Sequence, residues 1–375
     1  MVKKSVLVIN PGSATIKWAW FSHLQNDSAE CQGHYQVRSL ADSLPKLVVQ
    51  HPADIYLVRY VHGGPTLFEP LLVSEFVLDE LKKTVELAPL HNKISLDCLK
   101  VLKSQLPESC PLIVVFDTEF FQDLPLESQS YGLPQWLTHK YDIRRYGFHG
   151  FAHSAMCSTW DLLRARIRPG MNQSKLVTVQ LGSGCSMAAI LDGEPIETSM
   201  GFTPNEGLLM STRTGNIDPG LVTYLQRHEH WTPEKTDQVL NLESGWLGVS
   251  SESANMKDLL ESEAGNARLA RKIFSSRIRK TLGSYYALLG GLDAVIFSGG
   301  IAEHSSDFCV SLMSKLEHLG IRLGTKKVEQ EQHSIVIPVC LSAERSLVSL
   351  WVVPNNEASA MLASFRASRL APVDN

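Results

Sequence analysis

The chain has 375 residues, 44% of them hydrophobic and 20% charged, with a formal net charge of -4. That length suits two domains that each bury a core, and that composition excludes fibrous and disordered classes. The acidic balance provides no basic field for nucleic acid, so an anionic ligand must be held by arginines placed locally.

The N-terminus carries only a short apolar run, 6–9, before Asn10-Pro-Gly. Such a run is too short for a signal-peptide core or a membrane span, so a cytoplasmic protein without membrane partners is expected. The seven cysteines, Cys31, Cys98, Cys110, Cys157, Cys185, Cys309 and Cys340, show no C-x-x-C and no metal-ligand spacing. They read as buried thiols of a reducing compartment.

Residues 5–9 predict a strand, 10–15 a polar turn and 16–21 a second strand. The turn region offers Asn10, Ser13, Thr15 and Lys17, and its backbone N–H groups and hydroxyls can approach a phosphate. The same plan returns at 176–191, where Gly182-Ser183-Gly184 leads the turn between two strands. Strand, small-residue turn and strand occurring twice, about a domain length apart, point to a duplicated architecture.

Between these hairpins, 56–64 predicts a strand ending in a glycine turn, with Arg59 among apolar neighbours. A buried guanidinium is costly unless paired, so Arg59 should meet an anion. A helix is predicted over 74–86, stopped by the proline of Leu87-Ala-Pro-Leu90-His91-Asn92. His91 reads equally well as a surface histidine. The apolar strand 112–116 runs into Asp117, and a carboxylate at the carboxyl end of a buried strand lies where open α/β sheets place ligands. Arg144 to His153 packs two arginines and two histidines around glycines, ahead of a helix predicted over 154–168. The start of that helix would favour an anion, with a structural histidine pair as the competing reading.

The stretch 197–220 holds four glycines and two prolines around an apolar Gly-Leu-Leu-Met centre. Such a loop is built to be partly buried and holds something, which makes Arg213 a candidate anion ligand. An ordered surface loop with one solvated arginine is the plainer alternative. Residues 245–251 predict a turn, and 264–289 a long amphipathic helix whose basic run reads as a solvated face. The strand 294–298 runs into Gly299-Gly300-Ile301, a geometry that brings backbone against a nucleotide. Glu357 precedes a last helix, 358–369, as a helix-start charge or a metal-binding carboxylate.

In this order, Asn10-Pro-Gly-Ser-Ala-Thr-Ile-Lys17, Val61-His-Gly-Gly64, Leu87 to Asn92, Phe116-Asp-Thr118, Arg145-Tyr-Gly-Phe-His-Gly150, the 197–220 loop, Ser244 to Ser250, Gly299-Gly-Ile301 and Asn356-Glu357 resemble the acetate kinase family over nearly the whole chain. The resemblance implies a two-domain α/β fold of the actin-like, ribonuclease H-like duplicated type, with the active site in the interdomain cleft. It implies an N-terminal domain, 1–117, completed by 358–375, and a nucleotide-binding and dimerisation domain, 118–357. The implied reaction is reversible transfer of the ATP γ-phosphoryl group to acetate, giving acetyl phosphate and ADP with Mg²⁺ or Mn²⁺.

A carboxylate is already ionised at neutral pH, so this transfer needs alignment and charge stabilisation rather than a base. On the resemblance, Arg59, Arg213 and His149 act on carboxylate and phosphoryl group, and Asp117 orients the arginine and metal assembly. Glu357 with Asn10 places the metal. Ser13, Thr15 and Lys17 line the phosphate path, and Gly182, Ser183, Gly184, Asn255, Met256, Lys257, Gly300 and Ile301 hold the nucleotide. Val61, Leu90, Phe148 and Pro204 form the methyl pocket, with His91 as a further donor on the substrate side. A homodimer through the second domain is implied.

The chain departs from the family pattern at Gln180, Ser183, Cys185, Asn255-Met-Lys257 and Ala302-Glu-His304. These changes fall on the nucleotide side and leave room for an altered phosphoryl donor, such as pyrophosphate. Propionate or another short-chain acid as acceptor, a hydroxyl kinase using Asp117 as base, and a non-catalytic actin-like nucleotide binder are the competing readings.

Overall fold

The computed structural model describes residues 4–324 and 335–372. Its strands are β1 (Val6–Pro11), β2 (Thr15–Phe21), β3 (Cys31–Gln36), β4 (Ile55–Tyr60), β5 (Leu71–Leu72) and β6 (Leu112–Phe116) in one sheet. The second sheet holds β7 (Lys175–Leu181), β8 (Cys185–Leu191), β9 (Glu194–Thr198), β10 (Ala294–Ser298), β11 (Val339–Cys340) and β12 (Ser349–Val352). The chain divides into two compact units, one of residues 1–122, 148–155 and 356–375, the other of 123–147 and 156–355. Residues 1–3 and 373–375, at the outer bounds expected for the N-terminal domain, lie outside the described residues.

In the first unit the order is β3-β2-β1-β4-β6-β5. The β1–β2–β3 meander is antiparallel, and β4 and β6 add in parallel to β1. Every residue of β1, β4 and β6 is buried, the state of parallel strands covered on both faces. Alternation sends Leu7, Ile9, Tyr56, Val58 and Tyr60 to one face, against Leu44, Leu78, Leu81 and Leu99 of the neighbouring helices. Val6, Val8, Leu57 and Val115 go to the other, against Phe151 and against Met361, Leu362 and Phe365 of the C-terminal helix Glu357–Ala367.

The second unit repeats the plan. Its order is β11-β12-β10-β7-β8-β9, with an antiparallel β7–β8–β9 meander and parallel β10 and β12. Each unit therefore presents the carboxyl ends of its parallel strands on one edge of the sheet, beside the tip of its first hairpin.

Several element boundaries differ from the sequence reading for identifiable reasons. Ser74 accepts a hydrogen bond from Val77 N and starts a helix that ends at Lys83. Pro89 does not stop that helix; it occupies the start of the next, Pro89–Gln105, where its missing N–H costs nothing. Residues 245–250 form a helical segment rather than a turn. The cysteines are all free, but Cys31 and Cys110 are half-buried and Cys340 is exposed, so they are not uniformly core thiols. The basic run of the helix Gly265–Leu289 is not simply a solvated face either. Arg271 donates to the Leu259 and Ser262 carbonyls, Arg277 to Thr214 and Arg279 to Ser311 and Leu312.

Candidate functional site

In the first unit, three parallel strands end side by side and deliver three polar residues. Asn10 lies near the end of β1, Arg59 lies in β4, and Asp117 follows β6, with its N–H donating to the Tyr60 carbonyl at 3.0 Å. Arg59 Nη2 donates to Asp117 Oδ2 at 2.7 Å and Nη1 to Asn10 Oδ1 at 3.0 Å. Asn10 Nδ2 in turn donates to Glu357 Oε2 at 2.5 Å, at the start of the C-terminal helix. Burial alone would lower the pKa of Arg59, but the charges of Asp117 and Glu357 reverse this and raise it. The anion that Arg59 was expected to meet is thus provided by the protein. The Arg59 Nε–H remains buried without a partner among the described residues and faces the desolvation cost of an unmade hydrogen bond.

Asp117 also organises the start of a helix further along the chain. Its Oδ2 accepts the His149 backbone N–H at 2.9 Å, and its carbonyl accepts that of Gly150 at 3.0 Å. A Cβ on Gly150 would collide with the Asp117 carbonyl oxygen, so only glycine allows the helix Gly150–Ile167 to begin there. His149 takes a left-handed φ of 59°, which is uncommon for a residue other than glycine. Its ring is half-buried, whereas His153, one turn on, is fully buried and has its pKa pushed well below the usual value by burial. The two histidines therefore separate, with His149 half-buried at the start of the helix and His153 a neutral core residue.

The acyl-pocket candidates of this unit have a mixed placement. Val61 and Phe148 are buried, and Leu90 is half-buried in the first turn of Pro89–Gln105. β4 ends at Tyr60, so strand alternation does not set the direction of Val61. That task falls to Asn92, which sequence reasoning did not single out as a site residue. Its fully buried side chain grips the His62 backbone at both N–H (3.1 Å) and carbonyl (3.0 Å). The His62 ring then packs edge-on against Phe148, with centroids 5.2 Å apart. His91 is half-buried beside Asn92, and Ser13 and Lys17 are exposed near the β1–β2 tip with Thr15 half-buried.

In the second unit, a cavity of 890 Å³ opens beside the tip of the β7–β8 hairpin. Gly182, Ser183, Asn255, Met256, Lys257, Gly300 and Ile301 line it; Gly184 does not, and Trp246, Glu261 and His304 join. Asn255 caps the helix Met256–Glu261 by accepting Lys257 N at 3.1 Å. The buried Trp246 and Met256 account for its apolar wall, a composition that suits a flat heterocycle.

Arg213 sits in the same unit on the 197–220 loop. Its Nη1 donates to the Pro204 carbonyl at 2.6 Å, and it has no ion pair with a carboxylate among the described residues. Burial lowers its pKa to about 10, so it stays charged at neutral pH. Below it the Cys185 thiol is pushed up to about 12 by burial and remains neutral. The backbone around Arg213 is held from several sides: Ser211 N donates to Ser183 O, Thr214 N to Leu240 O and Arg277 Nη1 to Thr214 O. A guanidinium held in this way without a countercharge is an anion site in waiting.

The chain matches the model of the acetokinase family over residues 23–363. It is 34% identical to an acetate kinase of Corynebacterium jeikeium, covering 96% of this chain and 97% of that one. It is 39% identical to a propionate kinase of Escherichia fergusonii, covering 82% and 74%. The crystal structure of acetate kinase from Porphyromonas gingivalis superposes with a TM-score of 0.80 at 28% identity, covering 96% and 98%.

Proposed function

The chain belongs to the acetokinase family, a family of phosphotransferases with a carboxyl group as acceptor, and from that premise we propose that it is an acetate kinase. Its reaction is the reversible transfer of the ATP γ-phosphoryl group to acetate. An acetate oxygen forms the new bond to phosphorus while the bridging bond to ADP breaks, and the β-phosphate of ADP takes the negative charge. No proton has to be removed from the acceptor.

The observation that carries this reading is the state of Asp117. Its Oδ2 is taken by Arg59 and by the His149 N–H, inside a buried cluster. A carboxylate engaged in this way orients donors and is poorly placed to deprotonate a hydroxyl, which favours a carboxylate acceptor over a sugar or alcohol. Arg59, with its unpartnered Nε–H, receives an anionic oxygen; Arg213 supplies the charge that Asp117 has already neutralised on Arg59; and His149 donates to equatorial phosphoryl oxygens. The cavity of the second unit holds the nucleotide.

The residues present fit a magnesium ion arriving with the nucleotide. Mg²⁺ uses one or two carboxylates together with substrate phosphates, and Glu357 offers an oxygen set that suits it. Asn10 turns its oxygen to Arg59 and its amide to Glu357, so it holds that carboxylate in place, with one lone pair of its oxygen taken by Arg59. When bound, the ion would neutralise phosphate charge.

No helix of the described residues is long and apolar enough to cross a membrane, and a cytoplasmic location accords with that. A homodimer through the second unit accords with the apolar side chains it exposes, among them Trp136 and Tyr224.

Trapping acyl phosphate with hydroxylamine, across acetate, propionate and butyrate and with ATP, GTP and pyrophosphate as donors, tests the reading. Acetate should lead propionate by roughly ten to two hundredfold in kcat/KM, the range one methylene commands in an apolar pocket. A preference for propionate would move the assignment to that acid, and no hydroxamate with any acid would overturn it.

A further inference from the structure

The 197–220 loop is also stapled, apart from Arg213's backbone anchors, by three side chains with no assigned role. Tyr131 Oη accepts the Phe202 backbone N–H at 2.7 Å and donates its own proton to Glu206 Oε2. Glu206 pairs through its other oxygen with Arg145 Nη2 at 2.8 Å. Arg145 lies over the Tyr131 ring, 5.4 Å from its centroid, and is fixed in turn by the Ser128 carbonyl at 3.2 Å. The bond from Phe202 N–H to Tyr131 polarises the one that Tyr131 donates to Glu206, and Glu206 accepts from both sides, from Tyr131 at one oxygen and from Arg145 at the other. Burial and the bond to Glu206 raise the Tyr131 pKa, which keeps its proton in place for donation.

Two further features fit the loop to this network. A Cβ on Gly201 would collide with Glu206 Oε2 and with Tyr131 Oη, so this arrangement of the two side chains needs glycine there. At the other end Gly207 and Asn216 close the loop on itself, with Gly207 N donating to Asn216 Oδ1 at 2.8 Å and Asn216 N to the Gly207 carbonyl at 2.9 Å. The segment clamped between these points contains Pro204, whose carbonyl is the acceptor that aims Arg213.

We propose that Tyr131, Glu206 and Arg145 are positioning residues for Arg213: they fix the Pro204 carbonyl and so set the direction of the guanidinium. The inference rests on the reading of Arg213 as a ligand of the transferred phosphoryl group. Because a misdirected charge weakens transition-state stabilisation more than ground-state binding, the network should act on kcat and leave the nucleotide KM nearly untouched.

The test compares Tyr131→Phe, Glu206→Ala, Glu206→Gln, Arg213→Ala and the double variant Tyr131→Phe/Arg213→Ala, with acetate and MgATP as substrates and thermal unfolding in parallel. Tyr131→Phe should lower kcat by about tenfold or more at unchanged nucleotide KM and nearly unchanged Tm. Glu206→Gln, which keeps an acceptor for the tyrosine, should recover most of what Glu206→Ala loses. In the Arg213→Ala background Tyr131→Phe should cost nothing further, since residues acting through one group are not additive. Normal kcat in Tyr131→Phe alongside an impaired Arg213→Ala would overturn the inference and leave the role of Arg213 standing. Multiplying losses in the double variant, or losses that track a fallen Tm and vanish on cooling, would overturn it as well. Normal turnover in Arg213→Ala would instead remove the reading of Arg213 itself.

Discussion

Arg59 and Arg213 carry the same charge in opposite circumstances. Arg59 is neutralised by a carboxylate 2.7 Å away, whereas Arg213 leans on the Pro204 carbonyl and pairs with no carboxylate among the described residues. That the first would need an anion was legible in the sequence, because a guanidinium inside an apolar strand cannot stay unpaired; Asp117 was tied to the arginine only by the family resemblance, and the register of β4 and β6 gives the physical reason. Replacing Arg59 by Ala leaves Asp117 buried without its countercharge and removes the donor to Asn10. Turnover should fall by about a hundredfold or more with a loss of stability besides, read from kcat/KM and from Tm. Near-normal turnover would remove Arg59 from the mechanism. A second residue-scale prediction concerns Glu119, two positions beyond Asp117. Burial raises its pKa to about 7, the Ser364 hydroxyl lowers it in part and Glu69 raises it further. The folded state therefore binds a proton that the unfolded state has released above the ordinary carboxyl range. Its stabilising effect is fully present below about pH 4.5 and is lost as pH rises through about 7. Glu119→Gln should flatten the decline of Tm over that window; an unchanged pH profile would show that Glu119 ionises normally.

At the scale of elements, sequence pattern read the strands well and the joints poorly. β1, β4, β6, β7 and β10 follow from short, mostly apolar runs, as expected of strands buried on both faces, with Arg59 in β4 and Thr178 and Gln180 in β7 among the polar exceptions. Pro89 misleads because a proline both ends helices and starts them, and only the hydrogen bonding of 85–92 shows which. Arg271, Arg277 and Arg279 look like a solvated face because their acceptors are carbonyls of other elements, invisible to local spacing. Tyr131 and Asn92 escaped for the same reason. The cavity proposed for the nucleotide joins a hairpin tip, a capped helix and a glycine turn after β10, and the departures at Ser183 and 255–257 lie in its lining. With the phosphate-facing backbone kept and the side chains on the base and ribose side altered, ATP should be used with a weakened preference among purine nucleotides. Donor profiles decide: strong selectivity for ATP over GTP contradicts the relaxed preference, and activity with pyrophosphate alone contradicts ATP as donor.

The whole molecule is built on one plan used twice, as the two hairpins 5–21 and 176–191 suggested. Sequence showed the repeat because the small-residue turns 10–15 and 182–184 interrupt apolar strands in the same way. It did not show that the chain returns to the first unit at 148–155, since a helix crossing a unit boundary has no distinct composition. The second unit exposes Leu221 and Tyr224 on the helix Pro219–His228 and Trp136 on Gln135–Tyr141, large apolar groups that favour burial against another copy. Sedimentation should give a dimer, and Tyr224→Glu should shift it toward monomer. A monomeric wild type at micromolar concentration would contradict the arrangement.

The central claim, that a carboxylate oxygen of the acid forms the new bond to phosphorus, is tested by supplying acetate labelled with ¹⁸O in its carboxylate, with MgATP, and recording the ³¹P spectrum of the acyl phosphate. Attack by that oxygen on phosphorus places the label there, so the acetyl phosphate signal should show the isotope shift while the phosphates of ADP do not. An acetyl phosphate without label on phosphorus, or consumption of ATP with no acyl phosphate formed, would contradict it.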